Sequence, residues 1–214
     1  MGEACCAHHH PKTDEHRANP GYRRALWAVL AINAAMFAVE IGAGVAAGSA
    51  SLQADALDFL GDAGNYASSL FVVGMALRYR ASAALLKGAI MALFAIWVIG
   101  IAAWNTVNGT LPGAFTMGTV GLAALLANAA SFGLLWAYRD GDANMRSAWV
   151  CTRNDVLGNL AVLLAAAGVF GTGTAWPDII VAAIMAALAI QGAIIVIRRS
   201  LSELSDTSVL SAAE

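Results

Sequence analysis

Six apolar stretches, each about 20 residues long or slightly longer, constrain the fold of this chain more than any other feature. Runs of this length match the hydrocarbon thickness of a bilayer, whereas helices in the cores of soluble domains are shorter. Only 12% of the residues are charged, against about 25% in an ordinary soluble domain. The sequence therefore predicts an all-α integral membrane protein with six transmembrane helices. The predicted spans are Tyr22–Ala47, Ser51–Leu77, Ala84–Val107, Thr116–Tyr138, Ser147–Val169 and Pro177–Ile197.

Basic residues lie on one side of these predicted spans. The second and fourth breaks contain Arg78, Arg80 and Arg139, and Arg198 and Arg199 follow the sixth span. The first, third and fifth breaks contain no Lys or Arg. Because cytoplasmic loops carry the excess of Lys and Arg in membrane proteins, we expect both termini in the cytoplasm.

This orientation divides the chain into three parts. Residues 1–21 form a cytoplasmic N-terminal tail that contains Cys and His, and residues 22–199 form the six-helix transmembrane domain. Residues 200–214 form a short cytoplasmic C-terminal tail. We expect a multi-pass protein of the bacterial inner membrane, surrounded by lipid and without a nucleic-acid partner.

Four aspartates lie inside predicted spans, where a carboxylate costs several kcal/mol or more and indicates function. Asp55, Asp58 and Asp62 share one face of the second span, because their spacing is i, i+3, i+7. Asp155 lies in the fifth span, four residues after Cys151. Each of the two spans therefore offers a pair of potential ligands one turn apart.

These carboxylates have no obvious cationic partner in the sequence. No basic residue lies deep in a predicted span, and only Arg153 is placed to approach them. Adjacent carboxylates without cations repel one another, so they need protons or a metal ion. Two ligand pairs on facing helices can form one tetrahedral metal site, and a thiolate there favours softer ions such as Zn²⁺ or Cd²⁺. Structural hydrogen bonding between helices is the alternative.

Further polar residues in the spans are possible accessory groups. Asp55 could support the site, line an exit path or lie at the membrane interface. Glu40 could line the ion route or pair with Arg153. Asn154 and Asn159 could bind the metal, support its ligands, or join two helices by hydrogen bonds.

A short Cys/His segment precedes the first span, with Cys5, Cys6, His8, His9 and His10. Thiolates and imidazoles are zinc and copper ligands, so this segment could capture cytoplasmic metal. A disordered polar tail and a short purification tag are the alternatives.

The segment from Glu40 to Asp62 resembles the second-span hallmark of the cation diffusion facilitator family. In that hallmark a Ser and an Asp-Ala pair precede a His or Asp, and another Asp follows one turn later. Residues 80–88, 149–159 and 176–178 are similar to the family's second loop, its fifth span and the entry to its sixth. The resemblance implies export of a divalent metal, usually zinc, in exchange for protons and commonly by a homodimer.

Carried over position by position, the resemblance implies a transport site of Asp58, Asp62, Cys151 and Asp155. The family usually has His where this chain has Cys151. We expect a variant without the family's usual C-terminal cytoplasmic domain, in which a homodimer would use the spans or tails. The implied cargo is Zn²⁺, with Cd²⁺ or Co²⁺ as further candidates, exchanged for protons without a resident cofactor.

Two functions from other classes remain open. Intramembrane phosphatidyltransferase-like enzymes also bind divalent metal through aspartates at i, i+3 or i+4. Their pattern, however, adds Asp-Gly and Ala-Arg directly after the first Asp pair, whereas no Arg follows Asp58 here until Arg78. A metal-sensing subunit without transport would carry the same ligands and differ only in flux.

The predicted span ends place Asp58 and Asp155 at different depths in the membrane. Measured from the outer ends, Asp58 lies about 7 residues deep and Asp155 about 14, which is an offset of roughly 10 Å. Helix tilt would remove part of this offset, so we expect the two residues to share a site.

Overall fold

The computed structural model describes residues 20–72, 75–138 and 143–211, and at 72, 77, 143–154 and 206–211 it describes the backbone only. All regular structure in these ranges is helical, which confirms the predicted all-α membrane fold. The Cys/His segment formed by Cys5, Cys6 and His8–His10 lies outside the described residues. The helices are α1 (Pro20–Ala47), α2 (Ala50–Ala67, continued by a π-helical turn over Ser68–Val72), α3 (Leu77–Asn108), α4 (Ala114–Trp136), α5 (Ala143–Thr172) and α6 (Trp176–Ser211).

Five of these helices, all except α2, are long and apolar enough to cross a membrane. Helix α2 differs because its 18 residues include three aspartates. It is also strongly enclosed, with 13 of 18 residues buried, against 7 of 28 in α1. Protein rather than lipid therefore surrounds the acids of α2. With the π-helical turn, the segment from Ala50 to Val72 is roughly 34 Å long, enough to span the hydrocarbon core.

Several helix ends depart from the predicted ones: α2 with its π-helical turn ends at Val72 rather than Leu77, and α3 and α6 are longer than predicted. Helix α3 begins at Leu77, seven residues before the predicted start of the third span. Helix α6 continues to Ser211, through most of the segment assigned to a C-terminal tail, and Arg199 pairs with Glu203 one turn later at 3.3 Å. Apolarity marks where a helix leaves the membrane and not where it ends; the added turns of α3 contain good helix formers such as Leu77, Arg78 and Arg80.

The helices form a group of four and a pair. Helices α1 and α5 each pack on both α2 and α4, which closes the four-helix group. Helices α3 and α6 pack along one another, and α6 contacts the group through α2 and α5. Helix α3 also contacts α2, so α2 is the helix of the group that packs on both helices of the pair.

The first turn of α2 is anchored by one buried carboxylate of α6. Asp178 accepts hydrogen bonds from Ser49 Oγ at 2.7 Å and Ser51 Oγ at 2.6 Å. It also accepts from the backbone N–H of Ala50 at 2.8 Å and of Ser51 at 3.0 Å. A carboxylate at a helix N-terminus complements both the free N–H groups and the helix dipole, so α2 and α6 are joined firmly here.

Helices α1 and α3 hold the same end of α2. Gly48 has a φ of 65°, a conformation that favours glycine, and its carbonyl accepts a hydrogen bond from Asn105 of α3 at 2.8 Å. A Cβ added to Gly44 would lie 2.8 Å from the side chain and 3.1 Å from the backbone nitrogen of Gln53. Gln53 Oε1 also accepts from Trp97 Nε1 of α3 at 2.9 Å. The α1–α2 turn is therefore held by three helices.

Replacing Asp178 with Ala should destabilise the protein, because four hydrogen bonds at the start of α2 lose their acceptor. Each buried donor left unmet costs about 1–3 kcal/mol, and we expect a total loss of at least ~3 kcal/mol in unfolding free energy. Thermal unfolding in detergent, followed by helical circular dichroism, measures the loss. Glu203→Gln, on the same helix, should change stability by less than about 1 kcal/mol. An equal effect of the two variants would contradict the anchoring role of Asp178.

Candidate metal site

The intramembrane aspartates converge where α2 faces α5. The carboxyl groups of Asp62 and Asp155 lie within hydrogen-bonding reach of each other. Asp58 and Asp55 are close enough for their charges to act on Asp155 as well. Asp55 and Asp62 are buried, whereas Asp58 and Asp155 are partly buried. The two acidic segments predicted to share a site therefore do meet.

Two packing contacts explain why Asp62 lies level with Asp155. A Cβ added to Gly168 would lie 2.8 Å from Pro177, so α5 packs tightly on the start of α6 at this point. Asp178 in turn touches the first residue of α2. From this common level Asp155 lies 13 residues along α5 and Asp62 lies 12 residues along α2, an offset of about 2 Å. The predicted offset of roughly 10 Å was measured from Asp58, which lies one turn before Asp62; from the common level Asp58 lies 8 residues along α2, so about 8 Å of that offset remains and Asp62 is the α2 carboxyl level with Asp155.

Gly158 leaves room for the acids one turn further along α5. A Cβ added there would lie 3.6 Å from Asp58 Oδ2 and 3.7 Å from Asp55 Oδ1. Helix α5 therefore presents a carboxyl group at Asp155 and a bare backbone position three residues later. The oxygens of α2 approach this bare position without a side chain in between.

These side chains are not gathered into a finished metal site. Among the described residues, no group of three or more His, Cys, Asp or Glu side chains is placed to hold a metal ion. Asp62 accepts a hydrogen bond from Tyr66 at 3.0 Å, and Asp155 Oδ2 is buried without a donor. Two carboxyl groups in contact are stable only when they share a proton or a cation. Placing a cation between them requires the two groups to separate.

Cys151 lies one turn before Asp155 on the backbone of α5, but its side chain falls outside the described part of the chain. The same holds for Arg153 and Asn154. Their roles as a ligand, a counter-charge and an accessory group stay predictions.

A basic residue other than Arg153 reaches the site, so the expectation that only Arg153 could do so was wrong. Lys87 of α3 donates a hydrogen bond to Asn65 Oδ1, and its charge acts on Asp62. The sequence placed Lys87 near a loop because the third span was predicted to begin only three residues before it. Helix α3 begins at Leu77, which puts Lys87 almost three turns inside the helix.

A second polar cluster lies on the side of the α1–α2 turn. Glu40 of α1 is within hydrogen-bonding reach of Asp55, and Asp55 Oδ2 accepts from Asn159 Nδ2 at 2.7 Å. Asn159 Oδ1 accepts in turn from Asn128 Nδ2 of α4 at 2.8 Å. All four side chains are at most 2% exposed. The cluster joins α1, α2, α5 and α4 in one chain of contacts.

This cluster narrows the alternatives for the accessory residues. Asp55 is enclosed by protein, with 1% of its surface exposed. Glu40 faces another carboxyl group, and Asn159 joins three helices. Sequence reasoning missed Asn128, because a single Asn in an apolar helix has no partner at helical spacing. Its only signal was the cost of a polar side chain in a span.

One protein-family model matches most of the chain. The model describes the cation efflux transmembrane domain, and it matches residues 26–205. The matched region begins inside α1, ends inside α6 and contains both acidic clusters.

Adding a methyl group at Gly158 should weaken metal binding, because the methyl would fill the space beside the oxygens of Asp58 and Asp55 and exclude a cation from it. We expect Gly158→Ala to lower the affinity for Zn²⁺ by roughly tenfold, as measured by titration calorimetry in detergent. Gly171→Ala is the matched control on the same helix, since a Cβ there meets nothing within 4 Å. Equal affinity of the two variants would show that the space beside Gly158 is not used.

Proposed function

Because the chain belongs to the cation efflux family, we propose that it exports a divalent transition metal in exchange for protons. Members of this family are membrane transporters of metal cations, and the five apolar helices fit a multi-pass membrane protein. Zn²⁺ is the foremost cargo in this proposal, with Cd²⁺ and Co²⁺ as further candidates. The observation that carries it is the contact between Asp62 of α2 and Asp155 of α5.

The proposed cargo ligands are Asp58, Asp62, Asp155 and Cys151. A divalent cation between Asp62 and Asp155 would neutralise both carboxylates, which removes the repulsion between them. Asp58 lies one turn from Asp62 beside the bare position at Gly158 and can supply a third oxygen. Cys151, one turn before Asp155, would complete a tetrahedral set whose thiolate favours zinc and cadmium over magnesium and calcium.

Proton exchange follows from the chemistry of these ligands. A carboxyl group binds a metal only after it has lost its proton, so metal and protons compete for the same oxygens. Metal entering from the cytoplasm would displace the protons. Protons arriving from the opposite side would displace the metal after the helices have rocked. Lys87 adds a positive charge beside Asp62, which opposes excessively tight cation binding.

The alternatives named from the sequence are less well supported. Membership in a transporter family favours flux over phosphatidyl transfer, in line with the missing Asp-Gly and Ala-Arg pattern. A metal-sensing subunit is distinguished by flux alone. We further propose that the protein acts as a homodimer in the bacterial inner membrane, with both termini in the cytoplasm.

Purified protein in liposomes should move Zn²⁺ at a rate that depends on a pH gradient, with faster flux when protons can move the opposite way. Asp62→Asn and Asp155→Asn should each reduce the rate by at least about tenfold, because each removes one of the anionic ligands and breaks the carboxyl pair between α2 and α5. Glu203→Gln should transport normally. Zinc flux that does not change with the pH gradient would contradict metal–proton exchange. Full transport by Asp62→Asn would contradict the proposed cargo ligands.

Changing Cys151 should alter the choice of metal. Cys151→Ser replaces a soft sulfur by a hard oxygen, so the ratio of Cd²⁺ flux to Zn²⁺ flux should fall by roughly tenfold. Cys151→His should keep Zn²⁺ transport, since imidazole is a zinc ligand. The measurement is parallel flux of both metals in liposomes. An unchanged ratio in both variants would show that the thiol does not bind the cargo.

A further inference from the structure

Buried polar atoms without a hydrogen-bond partner are concentrated in one part of the described structure. They belong to residues of α1, α4 and α5, namely Asn33, Glu40, Asn128, Ser131 and Asp155. These helices form the four-helix group together with α2. Buried polar groups in folded proteins are nearly always satisfied, so unmet oxygens collected in one helix group indicate a function.

Glu40 is the clearest case. Its side chain is 0% exposed, and neither Oε1 nor Oε2 has a hydrogen-bond donor. The group within its reach is the carboxyl of Asp55, which is itself 1% exposed. Two ionised carboxylates in contact repel, and burial adds an effective penalty of several kcal/mol for each. A shared proton or a cation between them would remove the repulsion, and only a divalent cation would balance both charges.

The neighbouring amides orient oxygen atoms in the same cluster. Asn159 Nδ2 donates to Asp55 Oδ2, and Asn128 Nδ2 donates to Asn159 Oδ1. This arrangement leaves Asp55 Oδ1 beside Gly158 and Asn128 Oδ1 buried without a donor. The oxygens of this cluster that could bind a cation therefore belong to two carboxylates and an amide. Oxygen ligands suit hard cations, and two negative charges in an apolar interior are balanced by a divalent ion.

We propose that Glu40 and Asp55, supported by Asn159 and Asn128, form a second cation site that binds a hard divalent ion such as Mn²⁺. The site is distinct from the Asp62–Asp155 pair, because Asp55 lies seven residues from Asp62, about 10 Å along α2. In the predicted orientation it lies on the outer side of that pair. The proposal goes beyond metal export, since it concerns binding and holds whether or not the protein transports zinc.

Mn²⁺ is the probe for this site, because electron paramagnetic resonance distinguishes free from bound Mn²⁺ directly. The starting protein is the full chain in detergent with Asp62→Asn and Asp155→Asn, which disable the cargo pair and leave the second site intact. We expect one Mn²⁺ per chain in this double variant. Adding Glu40→Gln or Asp55→Asn should weaken that binding by at least roughly tenfold. Adding Glu203→Gln, a matched acidic control, should leave it unchanged.

The outcomes separate this proposal from the proposed export. The absence of saturable Mn²⁺ binding in the folded double variant would overturn the second site, as would binding that survives both Glu40→Gln and Asp55→Asn. In either case a shared proton or water, rather than a metal, satisfies these oxygens. Circular dichroism and gel filtration verify folding, and if one added variant does not fold, the other decides. A wild-type protein that binds Mn²⁺ here but does not move Zn²⁺ would contradict the export and leave the second site standing.

Discussion

The acids of α2 cannot face lipid, and the arrangement of the other helices follows from this constraint. Three carboxylates in hydrocarbon would be prohibitively unfavourable, so α2 is enclosed by α1, α3, α5 and α6. Enclosure requires close approach, which Gly44 permits on the side of α1 and Gly158 permits on the side of α5. The apolar surfaces of the surrounding helices then meet the lipid in place of α2. A helix too acidic to span a membrane alone becomes the centre of a membrane protein.

Much of this fold could be predicted from sequence, because hydrophobic length and acidic spacing are local signals. The six helices and the shared face of Asp55, Asp58 and Asp62 follow from such signals. The level at which Asp155 meets α2 does not, since it depends on the packing of Gly168 against Pro177. The approach of Lys87 was missed for a similar reason, because apolarity hides how far a helix extends beyond the lipid. The hydrophobic periodicity of one helix does not reveal which residues of another helix it contacts.

The two acidic clusters have the same arrangement at different positions along α2. In each, carboxyl groups from two helices meet in a buried place, Asp62 with Asp155 and Glu40 with Asp55. Such a contact is stable only with a proton or cation, so the packing of the helices depends on what the carboxyl groups bind. In the proposed exchanger, ion binding and helix packing would therefore be coupled in one equilibrium.

The hydrogen bonds of Asp178 determine which parts of the protein can move independently. They join the start of α2 to the start of α6, and Asn105 of α3 holds the adjoining turn. These hydrogen bonds hold the start of α2 against α3 and α6. The opposite end of α2 passes into the π-helical turn at Ser68–Val72, where the regular helical hydrogen bonding is interrupted. If the helices rock as proposed, α2 would turn about its anchored end, and the displacement of its acids would increase from Asp55 to Asp62.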